Sequence, residues 1–231
     1  MQRPQFRTTW RQQAPLILPS LLLCDFSDLK GEVARLEEAG VLGLHLDVMD
    51  GRFVPNMTYG LPIVEAFRRL TQLPLDVHLM VEEPMSWAKR FVEAGADVVT
   101  VHREAISDPL DVLSGIQELG VWAGLAINPG SPTDVDAAYW SACDVALVMS
   151  VPAGFGGQAF DAAALEKTRA LRAKYGDELF IEMDGGINRE TIARCAQAGA
   201  GGLVVGSAIF RHPHYPTVVA ELNALARSDN A

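Results

Sequence analysis

The sequence predicts a single α/β domain closed as a (β/α)8 barrel with a parallel eight-stranded core, the TIM-barrel architecture, and three observations carry that prediction. Eight short runs rich in Val, Leu and Ile are centred near Ile17, Leu44, Val77, Val99, Leu125, Leu147, Phe180 and Val204, with room for a helix between them. Strands buried on both faces and joined by crossover helices have this pattern. A recurring unit also ends a helix and starts a strand at once, at Ala39-Gly40, Ala94-Gly95, Leu119-Gly120 and Ala198-Gly199. Glycine suits the left-handed position after a helix because it has no Cβ to clash. Finally, the 231 residues contain no linker or low-complexity stretch, a length usual for one barrel.

The elements follow in order. Residues 1–13 carry Arg3, Arg7 and Arg11 but no apolar segment of signal-peptide type. They are expected to be a disordered arm, which puts the barrel domain at 14–231. Leu16-Ile-Leu-Pro-Ser20 is the first strand, ending in a polar residue. Ser27 or Asp28 can cap the helix whose apolar positions are Leu29, Val33, Leu36 and Ala39. The second strand runs into His45-Leu-Asp47-Val-Met49. Side chains alternate along a strand, so His45, Asp47 and Met49 share one face. Asp50 to Leu61, rich in Gly, Pro and Asn, is the longest interruption and an active-site loop candidate. The third strand carries Asp76-Val-His78-Leu-Met80; the fourth ends in His102 with Glu104 following, and the fifth in Asn128. The sixth ends in Met149-Ser150, the seventh in Glu182-Met-Asp184-Gly-Gly186 and the eighth in Gly206-Ser207. His212 and His214 fall in the C-terminal tail and read as surface residues.

Composition excludes several classes. A net charge of −10 offers no basic surface for a phosphate backbone, so nucleic acid is not an expected partner. Cys24, Cys143 and Cys195 are odd in number, widely spaced and free of any CxxC, which points to a reducing compartment and gives no structural zinc site. No apolar run approaches a membrane span, so no membrane partner is expected and the cytoplasm is the expected location.

Chemistry in such a barrel forms at the carboxyl ends of the strands. His45, Asp47, His78 and Asp184 would converge there from three strands. Two imidazoles and two carboxylates suit one divalent ion such as Zn2+, Fe2+, Mn2+ or Co2+. A hydrogen-bonded polar network could use the same residues, but burying two carboxylates without a cation is costly, which favours the metal. A second set consists of glycines in consecutive late loops: Gly154-Phe155-Gly156-Gly157 after strand six, Gly185-Gly186 after strand seven, Gly206-Ser207 after strand eight. Backbone N–H groups in such loops approach phosphate oxygens closely, and an acidic protein can bind phosphate in this way. Phe155 among these glycines points to a lid. Met49, Met80 and Met149 follow strand ends, either as packing or as a dry thioether wall of the mouth.

The string of motifs resembles the ribulose-phosphate 3-epimerase family. The matching segments are Pro19-Ser-Leu-Leu-Leu-Cys-Asp-Phe, His45-Leu-Asp-Val-Met-Asp-Gly-Arg-Phe-Val-Pro-Asn56, Asp76-Val-His-Leu-Met-Val81, Val101-His-Arg-Glu104, Gly154-Phe-Gly-Gly-Gln158, Glu182-Met-Asp-Gly-Gly-Ile187 and Val205-Gly-Ser-Ala-Ile-Phe210, in family order. The resemblance implies a metal-dependent isomerase that interconverts D-ribulose 5-phosphate and D-xylulose 5-phosphate, and a homo-oligomer. It implies one divalent ion per subunit on His45, Asp47, His78 and Asp184. Asp47 and Asp184 would also be the acid/base pair, one removing the C3 proton to give a 2,3-enediolate and the other returning a proton to the opposite face. Ser20 would touch the substrate, and the glycine loops with Ser207 would hold its phosphate.

The chain departs from the family at one place. Where the family has Asn-Pro before Gly-Phe-Gly-Gly, this sequence reads Ser150-Val-Pro152-Ala153-Gly154. The proline stands one position earlier and biases Val151 toward an extended conformation at the foot of the lid. Two alternatives share the motifs: a sister epimerase acting on allulose 6-phosphate or a tetrulose phosphate, and a non-catalytic sugar-phosphate-binding paralogue. A barrel decarboxylase or aldolase of the orotidine-phosphate type would need a lysine in the strand-end acidic cluster, and none stands near His45–Asp50 or His78.

Overall fold

Every predicted strand forms, and all eight lie parallel in one sheet of the computed structural model, which describes residues 5–133 and 137–228. They are β1 (Leu16–Pro19), β2 (Leu44–Met49), β3 (Leu75–Met80), β4 (Val98–His102), β5 (Trp122–Ile127), β6 (Val145–Met149), β7 (Phe180–Asp184) and β8 (Gly202–Val205). The order β1-β8-β7-β6-β5-β4-β3-β2 is that of a barrel, and a parallel bridge between Ser20 and His45 brings its first and second strands together.

The helices are α1 (Gln5–Gln13), α2 (Leu29–Glu38), α3 (Leu61–Leu70), α4 (Pro84–Ala94), α5 (Pro109–Glu118), α6 (Ala137–Ser141), α7 (Ala163–Tyr175), α8 (Ile192–Gln197), α9 (Ser207–Phe210) and α10 (Tyr215–Ala226). Their ends follow local chemistry. The Asp28 side chain caps α2 by accepting the Gly31 N–H, and proline stands in the first turn of α3, α4 and α5, where its missing N–H leaves no bond unmade. Gly95, the glycine after α4, has φ +120°, a conformation that side chains rarely adopt.

Alternation divides each strand between two cores. Leu46, Val48, Val77, Leu79, Val99, Val101 and Leu125 face the helices in the main apolar layer. Leu16, Leu18, Val98, Trp122, Val145, Leu147, Phe180 and Val204 belong to a separate cluster inside the barrel. Going up the same inward face, β2, β3, β4 and β7 turn polar, so His45, Asp47, Asp76, His78, Thr100, His102 and Glu182 are all buried.

One expectation is corrected. Residues 5–13 are not a disordered arm but helix α1, with Phe6 3% and Trp10 0% exposed. The two are four residues apart and so share a face, which plugs the end of the barrel opposite the strands' carboxyl termini. Phe6 meets Trp10 and Trp122 edge-on, each at 5.2 Å between ring centroids, and Trp10 lies 5.7 Å from Phe180. The Trp10 Nε1–H donates to the Leu42 carbonyl at 2.9 Å. Gly43 leaves room for the indole, since a Cβ there would stand 2.4 Å from its Cζ2. Arg7 donates to the Gly120 carbonyl and Arg11 to those of Asp177 and Glu178, tying the helix to the loops around it. The part of the predicted arm before residue 5 lies outside the described residues.

Candidate active site and metal centre

Register builds the mouth. Across β2 and β3, Asp47 stands beside His78 and Met49 beside Met80; across β6 and β7, Met149 stands beside Asp184. The short β1 reaches only His45 through Ser20, leaving the upper edge of β2 without a strand partner. The long loop after β2 fills that edge: the Asp47 N–H donates to the Tyr59 hydroxyl, the Met49 N–H to Thr58 Oγ1, and the Thr58 hydroxyl to the Asp47 carbonyl. The loop therefore locks the strand that carries the site.

Asp47 is the hub. Its Oδ2 accepts the Ser20 hydroxyl at 2.6 Å, while Oδ1 lies 3.1 Å from His78 Nδ1 and 3.4 Å from His45 Nε2. His45 Nδ1 is held by Asp76 Oδ2, which leaves its Nε2 turned toward Asp47, buried and without a hydrogen-bond partner among the described residues. His45, Asp47, His78 and Asp184 each offer a ligand atom, all within 4.8 Å of one another. An unpartnered buried imidazole nitrogen within 4.8 Å of two carboxylates suits a divalent cation, so this chain's residues fit such an ion.

Electrostatics separates the two aspartates. Burial alone would raise Asp47, but the His45 and His78 rings beside it hold its carboxyl well below the usual carboxylate range. Loss of hydration and the Asp47 charge push Asp184, partly exposed at the rim, up to about 7. Burial opposes the charged form of His45, yet Asp76 and Asp47 outweigh it and keep the ring's pKa well above the ordinary value. Below, burial and the neighbouring Asp76 push the Glu182 carboxyl well up.

A cavity opens over this cluster. Its lining includes Ser20, Asp47, Met49, Met80, Met149, Gly154, Phe155, Gly156, Gly157, Asp184, Gly185, Gly206 and Ser207, nearly all of the residues expected from the sequence. His45 and His78 lie below its floor, fully buried. Gly186 stands behind the wall with φ +60°, where a Cβ would come within 2.8 Å of the Phe160 nitrogen. Leu22, Leu23, Val151 and Pro152 complete the wall; the sequence pointed to Val151 and Pro152 as the foot of the lid but not to the two leucines.

The Gly154–Gly157 segment crosses the cavity with Phe155 52% exposed at its tip. Asn56 Nδ2 donates to the Gly154 carbonyl and Gln158 Nε2 to those of Pro152 and Phe155. Because proline stands at 152, position 153 keeps an N–H, and Asn128 Oδ1 accepts it at 2.9 Å. The departure from the family pattern thus gives the foot of the lid a bond that a proline at 153 would not allow.

Sequence reasoning missed the polar residues one step below the mouth. Asp76 and Glu182 sit two positions before His78 and Asp184, and that same-face spacing is the signal that could have found them. His212 and His214 are remote from the site: the His214 side chain caps α10 by accepting the Thr217 N–H.

Comparison with known proteins decides the family. The model of the ribulose-phosphate 3-epimerase family matches residues 16–210. The chain belongs to the ribulose-phosphate 3-epimerase family. It is 44% identical over 210 residues to the ribulose-phosphate 3-epimerase of Synechocystis sp., covering 89% of this chain and 91% of that one. It is 42% identical over 210 residues to the enzyme of that name from Bacillus subtilis, covering 89% and 97%. Among solved structures, tryptophan synthase of Mycobacterium tuberculosis superposes with a TM-score of 0.72 over 98% of both chains, at 18% identity, a likeness of fold alone. This chain is an isomerase of the epimerase class, and the binding-only alternative falls away. No helix among the described residues is long and apolar enough to cross a membrane.

Proposed function

We propose that the chain interconverts D-ribulose 5-phosphate and D-xylulose 5-phosphate by two-base proton transfer at C3 through a 2,3-enediolate, with one divalent ion held by His45, Asp47, His78 and Asp184. The observation that carries this reading is the pair of aspartates in one mouth whose protonation is pushed apart, Asp47 downward and Asp184 up to about 7. Two carboxyl groups tuned in opposite senses are what a reaction needs when one takes a proton and the other gives one. They project from β2 and β7, so a planar C3 between them would meet a different carboxyl on each face.

A divalent cation in this cluster would stabilise the negative charge that develops on the C2 and C3 oxygens. Zn2+, Fe2+, Mn2+ and Co2+ all suit two imidazoles and two carboxylates. The chain's own groups do the rest. Ser20 donates to Asp47 Oδ2 and keeps the carboxylate oriented. Met49, Met80 and Met149 wall the cavity with thioethers that neither donate nor accept protons readily, so an enediolate between them is not quenched from the side. Gly185, Gly206 and Ser207 bring backbone to the cavity edge, where the substrate phosphate is expected, and the Gly154–Gly157 segment would close over it.

An epimerase assay on metal-stripped and reconstituted protein, with Asp47→Asn beside it, tests the reading. Stripping is expected to abolish turnover and the ion to restore it, while the variant loses roughly 100- to 10,000-fold or more in kcat. Near-normal turnover in Asp47→Asn would remove that residue from the mechanism. Pro152 in the cavity wall supports one further reading, a ketose phosphate of another length such as allulose 6-phosphate or a tetrulose phosphate. Comparing kcat/KM across the three sugars decides between them.

A further inference from the structure

We propose that Glu104 is a positioning residue that sets, through His102, which ring nitrogen of His78 is free to hold a cation; this rests on the metal reading above. His78 turns Nδ1 to Asp47, and its Nε2 lies 2.8 Å from Nε2 of His102. The ring centroids are 4.9 Å apart although the nitrogens nearly touch, so the rings meet edge to edge in a hydrogen bond. A nitrogen pair at that distance needs one donor and one acceptor. For Nδ1 of His78 to offer a lone pair, its proton must sit on Nε2 and His102 Nε2 must accept it. His102 then carries its own proton on Nδ1, which faces Glu104 Oε2 at 3.0 Å. A carboxylate only accepts, so it selects that tautomer, and the selection passes across two rings to the ligand.

Glu104 is itself oriented by the loop that follows β5. Its Oε1 accepts the Asn128 N–H at 2.8 Å and the Ser131 hydroxyl. These two donors predict an inversion in Glu104→Gln. The introduced carbonyl must stay on Asn128 and Ser131, so the introduced amide N–H2 turns to His102 Nδ1 and makes it an acceptor. The His102 proton then moves to Nε2, and His78 must accept at its own Nε2, which holds the His78 proton on Nδ1 against Asp47 Oδ1, where it blocks the lone pair.

The test measures metal affinity by chelator competition, and ring tautomers by nitrogen NMR of metal-free protein, for wild type, Glu104→Gln and Glu104→Ala. Glu104→Gln is expected to hold the ion about 10- to 100-fold more weakly, with the His102 proton switched from Nδ1 to Nε2. Glu104→Ala leaves only the longer Asn128 Nδ2 contact on His102 Nδ1, at 3.4 Å, and should lose less affinity than Glu104→Gln, although it removes more of the side chain. A merely structural role predicts the reverse order. Unchanged His102 tautomer in Glu104→Gln, or a greater loss in Glu104→Ala, overturns the proposal. Failure of the wild type to bind any divalent ion would instead sink the metal reading, while the tautomer spectra still decide the relay.

Discussion

Removing Asp184 should make the metal-free protein more stable. Lost hydration and repulsion from Asp47 raise its carboxyl from an ordinary 3.8 to about 7. A group whose folded pKa is raised favours the folded state only while protonated. Stability therefore falls as pH rises from about 4 to about 7, and the full penalty stands above that. At about 1.4 kcal/mol per pKa step the ceiling is about 4 kcal/mol. Partial exposure at the rim reduces this to on the order of 2 kcal/mol. Asp184→Asn keeps the shape and loses the charge. Urea unfolding after chelation should show the variant ahead by about 2 kcal/mol at pH 8 and by less than half of that at pH 5, where the wild-type carboxyl is already protonated. With a divalent ion present the order should reverse, because the variant lacks a ligand. A variant no more stable than wild type at pH 8, or equally favoured at both pH values, would refute the account of opposed aspartates.

Two further outcomes follow from packing and backbone. Trp10→Ala should cost about 3–5 kcal/mol, the usual penalty for emptying a buried aromatic site, because the indole is 0% exposed against Phe6, Trp122 and Phe180. Thermal unfolding reads this, and a loss below about 1 kcal/mol would show the plug to be dispensable. Gly186→Ala places a Cβ within 2.8 Å of the Phe160 nitrogen at φ +60°; the strained loop should raise KM for the ketose phosphate roughly tenfold with kcat little changed. Unaltered KM would separate that turn from substrate binding.

The strand face of His45, Asp47 and Met49 was legible because alternation is a local property of extended chain. The eight strand ends were legible because each is marked by an apolar run and a helix stop. What lies between strands was not. Asp76 reads in sequence as one more polar residue, and only the pairing of β2 with β3 sets it on His45 Nδ1. Glu104, His102 and Asn128 were visible as strand-end residues, but no spacing relates them to His78 or to the Ala153 N–H. Phe6 and Trp10 were hidden among Arg and Gln, and their apolar face is meaningful only against Trp122 and Phe180.

By itself, then, the sequence determined the barrel, the strand ends that gather at its mouth and the family, since periodicity, helix stops and motifs are short-range signals written along the chain. Only the tertiary structure decided that His45 Nε2 is left without a partner, that Asp184 is pushed up while Asp47 is held down, how the displaced proline gave Asn128 a partner, and that residues 5–13 plug the barrel. Those depend on distances between atoms far apart in sequence, and on the low local dielectric that burial creates around them.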